Sequence, residues 1–320
     1  MINNKLLILG LGSIGSRYFN ILKKDKKLKI KTLDKEKKLK PNFSSFRHIE
    51  SWKAKSALIC LPTYLHTSYI IKLILVGYKY ILVEKPISNN LKNIKKVEEL
   101  ISKYNVKLFV VTNIRYHPGI RFLKSKIHLV GKVIFTKAYY NNNQKSMYGK
   151  KLWGHYSLNH NYGGGVLFDA CHEIDYLKYL LGPVKKSHSV AFMNKNETAT
   201  QVFYSIMKHK KDAISLIKND FLSRLKKRGC EITGTKGILK WSSVGKPGKE
   251  KINIIFISKN KKIKKIFNCK NYNHNEMYIK QLKEFELMKK RKKFNMLGFN
   301  DSLKTLSIIL NTKIYGLKKF

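Results

Sequence analysis

The sequence predicts an α/β protein in two parts: a doubly wound parallel sheet at the N-terminus, then an α+β region with a large, mostly antiparallel open sheet. Three observations carry this. A short apolar run at residues 5–9 feeds directly into Gly10-Leu11-Gly12-Ser13-Ile14-Gly15. Apolar runs and helical periods then alternate to about residue 120. After Gly131, strand-like segments follow one another with turn residues between them. A chain of 320 residues, 43% hydrophobic, can bury two cores. The predicted domains are residues 1–120 and 121–320, and the C-terminal helix is a candidate to pack back on the first domain.

Lys5–Leu9 reads as a buried strand, and Tyr18, Phe19, Ile21 and Leu22 recur at helical spacing after the glycines. Strand, GxGxxG, helix is the arrangement of a Rossmann dinucleotide site. Gly10 permits the tight turn, Gly12 lets a pyrophosphate approach the backbone, and Gly15 permits close helix–strand packing. The N–H groups of Ser13 and Ile14 at the helix N-terminus face the phosphates. A second strand, residues 28–33, ends at Asp34, the spacing at which an acid accepts from the adenosine ribose hydroxyls. Asp34 favours NAD, while Lys35, Lys37 and Lys38 beside it suit the 2′-phosphate of NADP, so both cofactors remain open. Residues 57–61 and 80–83 are further strands, separated by a helix over 67–76. Ligands bind at strand ends of a parallel sheet. Pro62, Thr63 and His66 after one strand, and Glu84, Lys85 and Pro86 after the next, are therefore candidate cofactor contacts. A helix over 91–104 and a strand over 106–111 complete the domain, and Asn113-Ile114-Arg115-Tyr116-His117-Pro118 leaves the sheet.

In the second domain, strands are predicted over 133–140, 184–192, 200–207, 213–218, 223–233, 237–241, 252–258 and 263–267. A terminal pair of helices is predicted over 275–289 and 300–317, with the Lys289–Lys293 cluster as the solvated end of the first. The stretch Gly163-Gly164-Gly165 to Leu181 reads as one helix, closed by Gly182-Pro183. On its wheel Leu167, Ala170, Cys171, Ile174, Leu177 and Leu181 share an apolar side. Asp169, His172, Glu173 and Tyr176 share the opposite side. That side is expected either to be a wet polar face or to present an acid and an imidazole to a ligand entering past the glycines.

The formal net charge is +47, from 66 Lys+Arg against 19 Asp+Glu. Such charge would suit a nucleic-acid or membrane-surface binder. Only seven residues are arginine, however, and the lysines run along the whole length. Arginine is the preferred reader of phosphates and bases, so the pattern argues for compositional drift and against a nucleic-acid partner. Cys60, Cys171, Cys230 and Cys269 lie far apart, with no metal-ligand spacing, as suits reduced thiols. No apolar run approaches the roughly 20 residues of a membrane span, and a cytoplasmic protein with no metal is expected.

Gly10-Gly12-Gly15, Glu84-Lys85-Pro86 and the stretch Gly163 to Asp175 together resemble the Gfo/Idh/MocA family of NAD(P)-dependent oxidoreductases, which includes inositol dehydrogenase and glucose–fructose oxidoreductase. Arg115-Tyr116-His117-Pro118 and Thr63–His66 resemble the family at the corresponding places, so the likeness covers nearly the whole chain. The wording GGGVLFDACHEIDYLKYLLGPV is most similar to members tied to bacterial surface-sugar and nonulosonic-acid biosynthesis. The resemblance implies hydride transfer between nicotinamide and a secondary hydroxyl or keto carbon of a sugar or nucleotide sugar. It implies that Lys85 meets the substrate and the nicotinamide ribose, and that Asp169 and His172 meet the sugar, His172 transferring the proton. Many members separate that acid and histidine by four positions, against three here, which leaves Lys85 as the second candidate for acid–base work. An imidazole near pKa 6.5 suits removal of the proton as the carbonyl forms. Asn113, Arg115, Tyr156, His155 and His160 are further candidate substrate contacts. A homodimer or homotetramer joined through the open sheet is expected. The alternative reading is a dinucleotide-binding regulatory or scaffold protein of the same fold without turnover.

Overall fold

The structure, a computed structural model, describes residues 4–143, 156–194, 198–245, 249–287 and 295–317. The chain divides into two compact units, Met1–Val111 with Gln281–Leu306 and Thr112–Lys280 with Ser307–Phe320.

The first unit contains β1 (Lys5–Leu9), α1 (Ser13–Leu22), β2 (Lys29–Leu33), β3 (Ser56–Ile59), α2 (His66–Leu75), β4 (Tyr80–Val83), α3 (Ile94–Tyr104) and β5 (Lys107–Val110). Its sheet runs β2-β1-β3-β4-β5, all parallel, with Leu297–Gly298 added antiparallel to β5. A sheet covered on both faces needs continuous apolar strands, and Leu6–Leu9, Ala57–Ile59 and Ile81–Val83 are all buried. Each such side chain contributes roughly 1.5–3 kcal/mol of transfer free energy. Strand order reverses between β1 and β3, so the topological switch point lies where the glycine loop leaves β1 and residues 60–63 leave β3.

The second unit contains α4 (Pro118–Lys126), β6 (Val133–Asn143), α5 (Val166–Asp169), α6 (His172–Leu181), β7 (Val184–Asn194), β8 (Val202–His209), β9 (Ile214–Asp220), β10 (Leu222–Gly234), β11 (Gly237–Val244), β12 (Glu250–Ser258) and β13 (Ile263–Tyr272). These strands run β13-β12-β11-β10-β6-β9-β8-β7, and Lys313–Leu317 adds to β7. All pairings are antiparallel except β6 with β9 and Lys313–Leu317 with β7. Period-two alternation divides the sheet's faces: Phe203, Ser205, Met207 and His209 of β8 are buried, as are Ser215, Ile217 and Asn219 of β9. Helix α6 packs over β6 and β9, and α4 over β11 and β12. The other face exposes Phe135, Ile206 and Ile214.

Several elements differ from the sequence expectation. The helix expected over 300–317 spans Phe299–Leu310, and Lys313–Leu317 turns into a strand, as the β-favouring Ile314 and Tyr315 suit. Helix α4 was not expected, although Pro118 at its first turn and basic residues in its last are ordinary start and stop signals. The Lys289–Lys293 cluster lies outside the described residues. Among the described residues no helix is long and apolar enough to cross a membrane.

The start of α4 is tied into a buried polar cluster of the same unit. His117 caps the helix, its Nδ1 accepting from the Gly119 N–H at 3.0 Å. The neutral ring therefore carries its hydrogen on Nε2, which lies 3.5 Å from Glu250 Oε1. Ser243 donates to the same oxygen, and His274 Nε2 bonds Glu250 Oε2. Tyr272 and Trp241 flank the His117 ring. Burial pushes the His117 pKa below 6.5, against the pull of Glu250. Burial would push the Glu250 carboxyl up, but His117 and His274 overturn that and hold it at about 2. A carboxylate so depressed contributes stability above its ordinary value of 4.5, lost as pH falls from 4.5 toward 2. His117, kept neutral, contributes stability above 6.5 that begins to fade as pH drops through that value. Glu250→Gln should therefore lower the melting temperature most near neutrality, with the gap to wild type closing below pH 4.5. A gap that stays constant with pH would contradict this.

Candidate active site

In the first unit the site is built at the C-terminal edge of the parallel sheet. Gly10 takes φ +89°, and a Cβ there would lie 2.6 Å from the Cys60 carbonyl oxygen. A Cβ on Gly15 would lie 1.7 Å from the Gly10 oxygen, so both glycines are demanded by the crossing of loop and strand. A Cβ on Gly12 would meet nothing within 4 Å: the middle glycine faces open space, not its own fold. Gly12 and Ser13 are exposed and Ile14 half-buried. Gly12 caps α1 without a side-chain hydrogen bond, and the first turn carries no acid, which leaves the helix dipole and amide ends to an anion. These features fit the pyrophosphate of NAD or NADP.

Asp34 is half-buried at the end of β2 and already bound to the loop. Its Oδ2 accepts from the Leu11 N–H at 2.6 Å and its Oδ1 from the Glu36 N–H at 2.9 Å. Each carboxylate oxygen keeps a further lone pair for a ribose hydroxyl. Lys38 pairs with Glu36 at 2.9 Å, and Lys35 and Lys37 are exposed. Neither cofactor is singled out by this neighbourhood.

Between β3 and α2, Pro62 is half-buried and Thr63 buried. His66 is 1% exposed, with Nδ1 2.9 Å from the Pro86 carbonyl oxygen and Nε2 2.8 Å from that of Leu61. Burial lowers its pKa to about 4, so the ring is neutral, donates its single N–H to one of these carbonyls and packs between the turn after β3 and the turn after β4. Any effect of His66 on a dinucleotide runs through those two backbones. After β4, Glu84 N–H donates to the Ile59 carbonyl, Lys85 is half-buried, and the Lys85–Pro86 peptide is cis. Burial raises the Glu84 carboxyl to about 7, with Lys85 pulling it back. A strand end with a carboxyl that titrates near neutrality beside an ammonium suits proton handling.

The second unit changes the expected helix. Gly163–Leu181 is not continuous: α5 ends at Asp169, Ala170 and Cys171 form a turn, and α6 restarts at His172. Asp169 and His172 are half-buried. The opposite side is not wet, since Glu173 and Tyr176 are 0% exposed and Asp175 3%. Gly164 and Gly165 are closed in by the chain itself. A Cβ on Gly164 would strike Ser157 at 2.4 Å, and one on Gly165 would strike Thr200 at 2.7 Å. Gly165 N–H donates to Ser157 O and Val166 N–H to Thr200 O, so these glycines serve the packing of the chain's own loops.

Asn113 and Arg115 lie on a buried 3₁₀ turn, Asn113–Tyr116. Arg115 grips Asp175 in a fork, Nε to Oδ2 at 2.8 Å and Nη2 to Oδ1 at 2.6 Å, and its guanidinium lies 5.0 Å from the Tyr179 ring centre. Tyr156 sits on the half-buried turn Tyr156–Leu158, His160 packs against Phe168, and His155 lies outside the described residues. Sequence reasoning missed Asn219, Asp175 and Arg228 as partners of this region. The scarcity of arginine in so basic a chain was the available signal, because a buried carboxylate favours a guanidinium partner.

Residues 4–112 match the model of an oxidoreductase family with an NAD-binding Rossmann fold. Residues 128–240 match that of the GFO/IDH/MocA C-terminal domain. The chain belongs to the Gfo/Idh/MocA family. It is an oxidoreductase of that family with an NAD-binding Rossmann domain. A search of curated protein sequences finds no match. Solved structures share the fold along nearly the whole chain. The WlbA dehydrogenase of Bordetella pertussis, in complex with NADH and UDP-GlcNAcA, is 16% identical with a TM-score of 0.76 over 96% of this chain and 94% of that one. A 3-ketoreductase of Actinomadura kijaniata, with NADP and TDP-benzene, is 13% identical with a TM-score of 0.80 over 98% and 99%. A putative myo-inositol dehydrogenase of Sinorhizobium meliloti is 16% identical with a TM-score of 0.73 over 96% and 95%.

The glycines separate fold from binding. Gly12→Ala should leave the melting temperature near wild type and weaken NAD(P) binding in calorimetry, whereas Gly15→Ala should damage folding itself. Undiminished binding by Gly12→Ala would remove that residue from the pyrophosphate site.

Proposed function

We propose that this family member transfers a hydride between nicotinamide and a secondary hydroxyl or keto carbon of a sugar or nucleotide sugar. The observation that carries the reading is the joint match of both family models to a chain that keeps the glycine loop, Lys85 at a strand end and the Asp169–His172 pair. Two of the structural neighbours were solved with a nucleotide-sugar compound or a nucleotide derivative beside the cofactor, which supports that substrate class. The likeness of residues 163–184 to surface-sugar enzymes extends the reading to bacterial glycan biosynthesis.

The bound nicotinamide supplies the hydride acceptor or donor. His172 takes the hydroxyl proton as the carbonyl forms and returns it in reduction, and Asp169 orients the imidazole. Lys85 holds the reacting oxygen by its ammonium, where negative charge develops. Gly12 with the amide end of α1 holds the pyrophosphate, and Asp34 the adenosine ribose. Lys85→Met and His172→Ala should each lower turnover by roughly 10²–10⁴-fold, with NAD(P) still bound by the isolated proteins. Binding without turnover of any sugar or nucleotide sugar by the intact protein would favour the regulatory alternative.

The open sheet face, with Phe135, Ile206 and Ile214 exposed, is the proposed contact with a second copy. Light scattering should give a dimer or tetramer, and a monomeric mass would exclude the contact.

A further inference from the structure

The break between Asp169 and His172 raises a physical question: what fixes an imidazole relative to a carboxylate when the helix between them is interrupted. Ala170, with φ −101° and ψ 31°, leaves the helical conformation, and its carbonyl faces β9. There the Asn219 Nδ2 donates to Ala170 O at 2.8 Å and to Glu173 Oε2 at 3.4 Å. The Asn219 Oδ1 accepts from the Tyr140 N–H at 3.0 Å, which fixes the orientation of the amide. The other Glu173 oxygen accepts from Arg228 Nε at 2.9 Å, and the Arg228 guanidinium lies 4.0 Å from the Tyr140 ring centre. Glu173 and Asn219 are 0% exposed.

Sheet register accounts for this convergence. Arg228 of β10 pairs with Tyr140 of β6, and Tyr140 pairs with Asn219 of β9, so the three form one row across adjacent strands. Residues opposite one another in a sheet present their side chains to the same face, and here that face is the one under α6. Asn219 holds the break itself at Ala170 and the first turn of α6 at Glu173, so its two contacts flank His172 in sequence. Arg228 supplies the counter-charge that lets Glu173 sit without water.

We infer that Asn219, Glu173 and Arg228 are positioning residues for His172, holding its ring in register with Asp169 across the helix break. The inference rests on the proposed proton-transfer role of His172. None of the three is required to touch substrate. Their effect is to make the first turn of α6 a fixed platform, and a misplacement of about 1 Å at a reacting group costs on the order of 10²-fold in rate.

The test uses the full chain labelled with ¹³C,¹⁵N-histidine, the His172 signal being identified by its loss in His172→Ala. Its titration is followed by NMR beside the kinetics. Asn219→Ala and Glu173→Gln should move the His172 titration midpoint and lower kcat roughly 10–100-fold, with KM and the NAD(P) dissociation constant little changed. Arg228→Lys should recover part of what Arg228→Met loses, because it keeps the cation but not the Nε–H that Glu173 Oε1 accepts from. A lowered melting temperature with wild-type His172 titration and kcat would reduce the row to mere structure and overturn the inference. Should Asn219→Ala or Glu173→Gln fail to fold, Arg228→Lys, which leaves the Glu173 carboxylate with a cation, decides by its His172 midpoint and kcat. If His172→Ala leaves kcat intact, the proton-transfer role fails, while the titration still reports on positioning.

Discussion

Two guanidinium–carboxylate pairs with buried acids, Glu173 with half-buried Arg228 and Asp175 with buried Arg115, hold the helix that carries His172. Both acids lie in the first turn of α6, and neither is more than 3% exposed. Removing one partner of such a pair strands a buried charge, which typically costs about 3–5 kcal/mol. Burial pushes the Glu173 carboxyl up and Arg228 pulls it back, so the acid depends on its partner. The pairs also clarify the chain's composition. Lysine dominates, yet the buried acids of α6 take two of only seven arginines. A guanidinium is weakly hydrated and forks onto a carboxylate, and an ammonium does neither.

The first unit relies on backbone crossing. A parallel sheet in the order β2-β1-β3-β4-β5 brings the turns after β1 and β3 together at the switch point. Gly10 and Gly15 allow those turns to pass within contact of one another, and Asp34 ties the loop to the end of β2. His66 then packs between the turn after β3 and the one after β4, where Glu84 and Lys85 sit. One continuous rim of backbone is thereby held by a few side chains.

Much of this was legible in the sequence because it rests on local pattern. The apolar run into GxGxxG, the strand ending at Val83 and the stop at Gly182 are each signalled within a few residues. The break after Asp169 was not, since Ala170 and Cys171 carry no breaking signal and the wheel continues smoothly through them. Nor was the burial of Glu173, because its partner Arg228 lies 55 residues away and sheet register brings the two together. A charged residue read alone belongs to the surface, and a long-range counter-charge reverses that. The triple glycine failed as a guide for a related reason. Small residues mark a close approach without saying whether a ligand or the chain's own Ser157 and Thr200 makes it.

The chemistry proposed for this chain is tested most directly by following deuterium from the carbinol carbon of a sugar or nucleotide sugar to the nicotinamide ring by mass spectrometry. Label in the recovered reduced cofactor, with slower turnover of the deuterated substrate, is the predicted result. Turnover that leaves the ring unlabelled would contradict it.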